Sequence, residues 1–260
     1  MGTKILVVTH KEYPVPADGL HLPVMAGAAL AKSVPEGYLR DDAGDNISDR
    51  NKNYCELTAL YWAWKNMDTT EVLKDGSSIG LCHYRRYFAT PLTGRKSILS
   101  RGFADRLMSR CSVAVPRARN YVIETNYSHY VHAHHAQDLD LTREIISEKY
   151  PEYLDAFDRR MRMTRGHRFN MFIMRWDILD RYCQWLFDIL FDLETKLDIS
   201  SYSERDQRVY GFVSERLLDV WLDANHVEYI ELPYLMTEKE NLMLKAFGVF
   251  RRKITGSMGK

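Results

Sequence analysis

Residues 4–10 read KILVVTH, and the stretch Ile5-Leu6-Val7-Val8 is apolar without interruption. A strand with one wet face alternates apolar and polar side chains. An unbroken, β-branched run ending in polar residues belongs instead to a strand covered on both faces, as in parallel sheets flanked by helices. This feature narrows the fold to layered α/β architectures, and the rest of the chain repeats it. SSIGLC (77–82), SVAVP (112–116), FNMFIMR (169–175) and VEYIELP (227–233) are further short apolar runs. Between them, CELTALYWAWKNM (55–67) sets Leu57, Leu60, Tyr61 and Trp64 at helical spacing, and residues 138–161 read as two helices broken at Pro151. Leu179, Tyr182, Leu186, Ile189 and Leu193 mark a long amphipathic helix, and residues 206–224 mark another with Val209, Phe212, Val213, Leu217 and Val220 on its core face. Strands alternating with helices predict an α/β fold around a mostly parallel central sheet, with ligands bound beyond the carboxyl ends of its strands.

Composition excludes several classes. A formal net charge of +1 over 260 residues does not suit a protein that coats nucleic acid, which needs a basic excess. Cys55, Cys82, Cys111 and Cys183 form no C-x-x-C pair, so neither a zinc site nor a disulfide framework is expected, and reduced thiols point to the cytoplasm. The chain enters a strand pattern at Lys4, which leaves no room for a signal peptide, and no stretch is long and apolar enough for a membrane span. Lys245, Arg251, Arg252, Lys253 and Lys260 gather in a tail without acidic residues, among Leu, Phe and Val. Such a segment suits peripheral contact with an anionic membrane face, or else is a frayed terminal helix. The G-x-S-x-G, Walker, H-E-x-x-H and G-x-G-x-x-G signatures are all absent.

The chemistry-bearing residues fall at strand ends. GLCHYRRYF (80–88) places His83, Arg85 and Arg86 where a buried strand emerges, and Thr9, His10 and Lys11 end the first strand. Arginine forks and a lysine point charge match the oxygens of a phosphate or pyrophosphate. The residue types alone leave open a strand end that is merely solvated. Asn46, Ser48 and Asn51 lie on a polar loop entering a helix, where backbone N–H groups favour anions. Asn53-x-x-Glu56 has the spacing of a capping box, which would tie Glu56 to its own helix. Where sugar-nucleotide enzymes often carry a metal-binding D-x-D, this chain has His83-Tyr84-Arg85; Asp138 and Asp140 have that spacing but open a helix. No metal cofactor is therefore required by the sequence, with manganese or magnesium left open. His129, His132, His134 and His135 crowd one segment without a metal-ligand pattern, and Arg208 and Glu215 flank Gly211 on one helix face.

Together, VVTHK, GDNIS, N-x4-ELTALYWAWKN, IGLCHYRRYF, NMFIM and GFVSERLLDVWL resemble a family of bacterial glycosyltransferases of capsule, exopolysaccharide and O-antigen biosynthesis, whose domain was long catalogued as being of unknown function. The resemblance spans about residues 5–234. It implies a GT-A-like fold forming a single domain over 1–240, with a nucleotide-sugar half near 1–120, an acceptor half near 121–240, and the basic tail over 241–260. It also implies transfer from a UDP-sugar, with galactofuranose as a candidate, to a lipid-linked saccharide acceptor at the inner membrane face, by an inverting route. On that resemblance Thr9, His10, Lys11, Asn46, Asn51, His83, Arg85 and Arg86 become donor-site candidates, the basic cluster standing in for a metal. Tyr130, His134, Asp138 and Asn170 become candidates for the sugar or acceptor side. Glu215 and Glu56 are rival general bases, and Arg208 a charge stabiliser. The competing reading is a non-catalytic subunit that binds the nucleotide sugar or polysaccharide.

Overall fold

The computed structural model describes residues 2–91 and 97–237; the basic tail lies outside them. The chain opens with β1 (Gly2–Thr9), β2 (His21–Met25) and β3 (Leu39–Arg40), then α1 (Asn51–Tyr54) and α2 (Leu57–Lys65). Next come β4 (Gly76–His83), β5 (Arg86–Phe88), α3 (Arg101–Met108), β6 (Val113–Pro116) and β7 (Arg119–Asn120). Helices α4 (Asn126–Val131), α5 (Ala136–Lys149) and α6 (Leu154–Arg162) precede β8 (Arg165–Gly166) and β9 (Phe172–Arg175). The described chain closes with α7 (Trp176–Lys196), α8 (Val209–Ala224), β10 (Ile230–Leu232) and β11 (Tyr234–Met236).

The main sheet runs β10-β6-β9-β4-β1-β2-β3. β1 lies parallel to both β2 and β4, and β10 lies parallel to β6, whereas β9 is antiparallel to both of its neighbours. The expected mostly parallel sheet is thus present with the antiparallel β9 set into its middle, and β5, antiparallel to β4 and to β11, joins it off this path. Its strands come from both halves of the chain.

The unbroken apolar runs are explained by burial on both faces. In β1, Leu6 and Val8 join a large core while Ile5 and Val7 join a smaller one on the opposite face, and β9 divides Phe172 and Met174 from Ile173 in the same way. Residues of α2, α5, α7 and α8 fill the large core; α3 and the aromatic side chains of β5 fill the smaller one. Gly80 sits where β4 packs closely between β1 and β9. A Cβ there would come within 3.0 Å of Ile5 Cγ1, 3.1 Å of Ile173 Cγ1 and 3.1 Å of the Phe172 carbonyl oxygen. Leu186 of α7 is fully enclosed in the large core, so Leu186→Ala is expected to cost about 2–5 kcal/mol in urea denaturation while leaving the fold intact.

Two elements differ from the sequence pattern. The strand expected from residue 169 begins at Phe172, because Phe169 and Asn170 take left-handed backbone angles (φ 78° and 49°). The helix expected over 55–67 starts only at Leu57 and is set off from the short α1, because Cys55 has φ 54° and ψ −128°. Both irregularities adjoin the site.

Candidate functional site

A cleft of about 650 Å³ opens where β1 and β4 end side by side. Val8 pairs in register with His83, so parallel neighbours deliver Thr9 and His10 to the same edge as His83 and Arg85. Ala26 after β2 lies on the wall, as do Asn51, Lys52, Cys55 and Glu56 at the junction of α1 and α2. Glu204, Arg205, Gln207 and Arg208 of the segment before α8 complete it. Of the residues singled out in the sequence, the structure therefore brings together Thr9, His10, Asn51, His83, Arg85, Glu56 and Arg208.

Tyr84, which sequence reasoning passed over, organises the basic edge. Its ring is fully buried and touches His83 at 4.3 Å and His10 at 5.5 Å between centroids, with Lys11 Nζ at 5.2 Å and the Arg85 guanidinium at 5.0 Å from its centre. The negative face of the ring favours this gathering of cations. His83 is pushed down to about 3, first by burial and then by the charges of Arg86, Arg85, His10 and Arg208. It is therefore a neutral imidazole. Its Nδ1 accepts the Arg85 backbone N–H at 3.3 Å, which leaves the proton on Nε2 as a donor. His83 is thus a neutral donor at an edge whose neighbouring arginines favour an anion.

Opposite stands Glu56, the carboxylate that the break at Cys55 turns into the cleft. Cys55 holds backbone angles costly for any residue with a Cβ, of order 1–3 kcal/mol. Its carbonyl is gripped by Asn51 Nδ2 at 2.8 Å and Thr58 Oγ1 at 3.1 Å, and its Sγ accepts Arg208 Nε at 3.1 Å. Gly211 makes room beneath it, since a Cβ there would press to 3.3 Å on Cys55. Glu56 makes no capping box. Asn53 donates instead to the Gln207 carbonyl at 2.8 Å, and Glu56 Oε1 accepts Asn170 Nδ2 at 2.8 Å. Burial raises the Glu56 carboxyl above its ordinary range, the Asn170 bond and the charge of Arg208 pull it down, and nearby Glu215 pushes it up.

The loop wall is built by a buried carboxylate that the sequence did not flag. Asp41 is fully buried and accepts the backbone N–H groups of Gly27 and Ala28 at 2.9 Å each, along with the Ser48 hydroxyl at 2.5 Å. Gly27 (φ 70°) lets the turn pass against Asn51, whose Cβ and Cγ would lie 2.7 Å from an added Cβ. Gly27→Ala is expected to lower stability by about 1 kcal/mol or more and to displace Asn51, measured by thermal unfolding and by the loss of ligand affinity.

Several expected site residues are placed elsewhere. Lys11 packs over Tyr84 outside the lining, and the Arg86 guanidinium lies 4.1 Å over the ring of Phe169. Asn46 closes a local turn, donating to the Gly44 carbonyl and accepting the Ser48 N–H. Asn170 lies outside the cleft lining. It is 3% exposed, donates to both Glu56 and the Gly211 carbonyl, and accepts the Ser214 hydroxyl, so its amide is spent on holding Glu56. Tyr130 and Asp138 are each 1% exposed and bonded to one another at 2.8 Å, while Tyr202 donates to the second Asp138 oxygen. His134 stacks on Phe212 and meets Asp206 Oδ1 at 3.1 Å. These three do not reach the cleft surface; they fasten the 202–208 segment that forms its outer wall. Glu215 lies outside the lining too, 4.0 Å from Arg168, because Gly211 is turned into Cys55 and the face between Arg208 and Glu215 is occupied. Among the described residues no three His, Cys, Asp or Glu side chains converge on a point where they could hold a metal ion.

A family model described as a domain of unknown function (DUF4422) matches residues 4–226. Among solved structures the chain is similar to the apo structure of WbbM, a bifunctional glycosyltransferase, with a TM-score of 0.83 and 28% identity over 92% of this chain. It spans 46% of that protein. The mannosyltransferase Ktr4p from S. cerevisiae aligns over 90% of this chain and 70% of its own, at 12% identity and a TM-score of 0.34, too low to carry an argument. No curated protein matches the chain.

Proposed function

The chain belongs to the DUF4422 family, whose matched region contains every wall of the cleft, and we propose that it is a glycosyltransferase using a nucleoside diphosphate sugar. The observation that carries this reading is one cleft that brings the donors His10, His83 and Arg85 of the strand ends together with Glu56, a carboxylate raised by burial and held by Asn170. His10, His83 and Arg85 hold the donor's diphosphate, which we read as that of a UDP-sugar. The positive charge of Arg85 and the hydrogen bond offered by the neutral His83 stabilise the diphosphate as it departs, the role a divalent ion plays where carboxylates hold one. Likeness to part of a bifunctional glycosyltransferase supports the same reaction class.

Glu56 is the general base in this account. It takes the proton of the acceptor hydroxyl as that oxygen attacks the anomeric carbon and the bond to the diphosphate breaks, with inversion. Arg208, beside it, tempers the negative charge that gathers there. Galactofuranose as the sugar, a lipid-linked saccharide as the acceptor and work at the inner membrane face belong to the same proposal.

Asn170 acts as a positioning residue, so Asn170→Ala is expected to lower kcat about tenfold or more with donor KM little changed. Because its bond lowers the Glu56 pKa, removing it moves the acid limb of the pH–rate profile to higher pH. The reaction itself is tested by incubating the protein with a panel of UDP-sugars and saccharide acceptors and measuring released UDP. Acceptor-dependent release supports the enzyme. Tight UDP binding with no release from any donor favours the non-catalytic subunit.

A further inference from the structure

Beside Glu215, outside the cleft lining, two guanidinium groups are buried against too little negative charge. Arg216 of α8 is 6% exposed, its Nε has no hydrogen-bond partner, and its polar contact is Nη2 to His129 Nδ1 at 3.5 Å. No carboxylate among the described residues lies within ion-pair distance of it. Arg168, before β9, is half-buried; its Nε donates to the Tyr121 hydroxyl and its Nη2 lies 3.0 Å from His129 Nδ1. Its nearest carboxylate is Glu215, at 4.0 Å. Burial and then the charge of Arg216 push Arg168 down to about 10, and burial and then Arg216 push His129 down to about 4. His129 is neutral and offsets nothing. Glu215 and Asp219 act on Arg216 only from beyond ion-pair distance, and its guanidinium lies 5.8 Å over the Tyr130 ring, so this buried cation has no carboxylate in direct contact, an arrangement that folding alone disfavours. Arg119, exposed and close enough to add to the depression of Arg168, increases the excess.

The position of the pair suggests its use. Glu215 joins it to the cleft, since its charge acts on Glu56 while it stands against Arg168. We propose that Arg168 and Arg216 form an oxyanion subsite for the acceptor, holding a carboxylate or phosphate substituent on the saccharide whose hydroxyl reaches Glu56. This rests on the glycosyltransferase reading and narrows it to acidic acceptors. The planar forks of two arginines suit either oxyanion, and a neutral sugar would leave Arg216 as unmatched as before.

The test reads the arginine Nε–Hε resonances of the ¹⁵N-labelled full chain with UDP present. It titrates in turn inorganic phosphate, glucose 1-phosphate, glucuronate and glucose. The expected result is saturable movement of the Arg168 and Arg216 signals with phosphate and with the charged sugars but not with glucose. The tighter of glucose 1-phosphate and glucuronate then names the substituent. Arg216→Gln removes a buried group and can fail to fold, so the half-buried Arg168→Gln carries the mutational arm. It should weaken phosphate about tenfold or more, the scale of one lost charge-assisted hydrogen bond, with an unchanged melting temperature. Signals that stay still, that move equally with glucose, or that move only for exposed Arg117 and Arg119 overturn the subsite. Because the readout is per residue, it stands apart from whether UDP itself binds.

Discussion

Glu56→Gln is expected to cut kcat by about 10²–10⁴-fold, the range for losing a general base, with the fold and UDP affinity retained. The substitution keeps the shape and leaves oxygen available to Asn170 Nδ2, so the hydrogen bond that fixes the side chain survives while the proton acceptor is lost. The wild-type enzyme should also lose activity on the acid side at a pH above the ordinary carboxylate range, because burial raises the Glu56 pKa and only the ionised form accepts a proton. That acid limb should vanish in the variant. Glu215→Gln serves as the comparison. Glu215 lies outside the cleft lining and faces Arg168, so its loss should keep the acid limb and, by removing a charge that raises the Glu56 carboxyl, move it to lower pH. If Glu215→Gln removes the limb and Glu56→Gln does not, the roles are reversed.

Arg85→Ala carries the second large effect, a loss of UDP affinity of about a hundredfold, or ~3 kcal/mol, as expected when one side of a desolvated charge pair is deleted. Arg85 lines the cleft; Arg86 does not, its guanidinium lying over Phe169. Arg86→Ala should therefore cost much less, acting at a distance through the field at His83. Calorimetry on the two variants checks this, and equal losses would show that the diphosphate reaches past the cleft edge to Phe169.

The contrast between neighbours 85 and 86 shows how far the sequence could be read. HYRRYF announced a basic strand end, because charge placed directly after an apolar run is visible in one dimension. Which arginine turns inward depends on the antiparallel pairing of His83 with Arg86, a tertiary fact. The sheet was legible for a related reason: runs such as ILVV are explained only by cover on both faces, and both cores are present. What composition could not reveal was the break at Cys55. Asn53-x-x-Glu56 has the spacing of a capping box, and nothing local signals a residue with φ 54° at the turn between them. The start of the helix was displaced to Leu57 by Asn51, Thr58 and Arg208, which hold Cys55 from three directions. Asn170 and the Tyr130–Asp138 pair lie outside the cleft lining for the opposite reason. Their polar groups are consumed by partners 8 to 114 positions away, and such satisfaction is invisible until the chain is folded.

In the proposed function, the cation of Arg85 and the donors of His10 and His83 receive a diphosphate at the cleft edge. The most direct measurement is calorimetric titration of the full chain with UDP, in EDTA and again in manganese. Saturable binding of the same affinity in both, weakening as salt is raised, is the predicted result. Binding that appears only with manganese would contradict the role given to His10, His83 and Arg85, and no binding in either would contradict the assignment of the cleft to a nucleoside diphosphate.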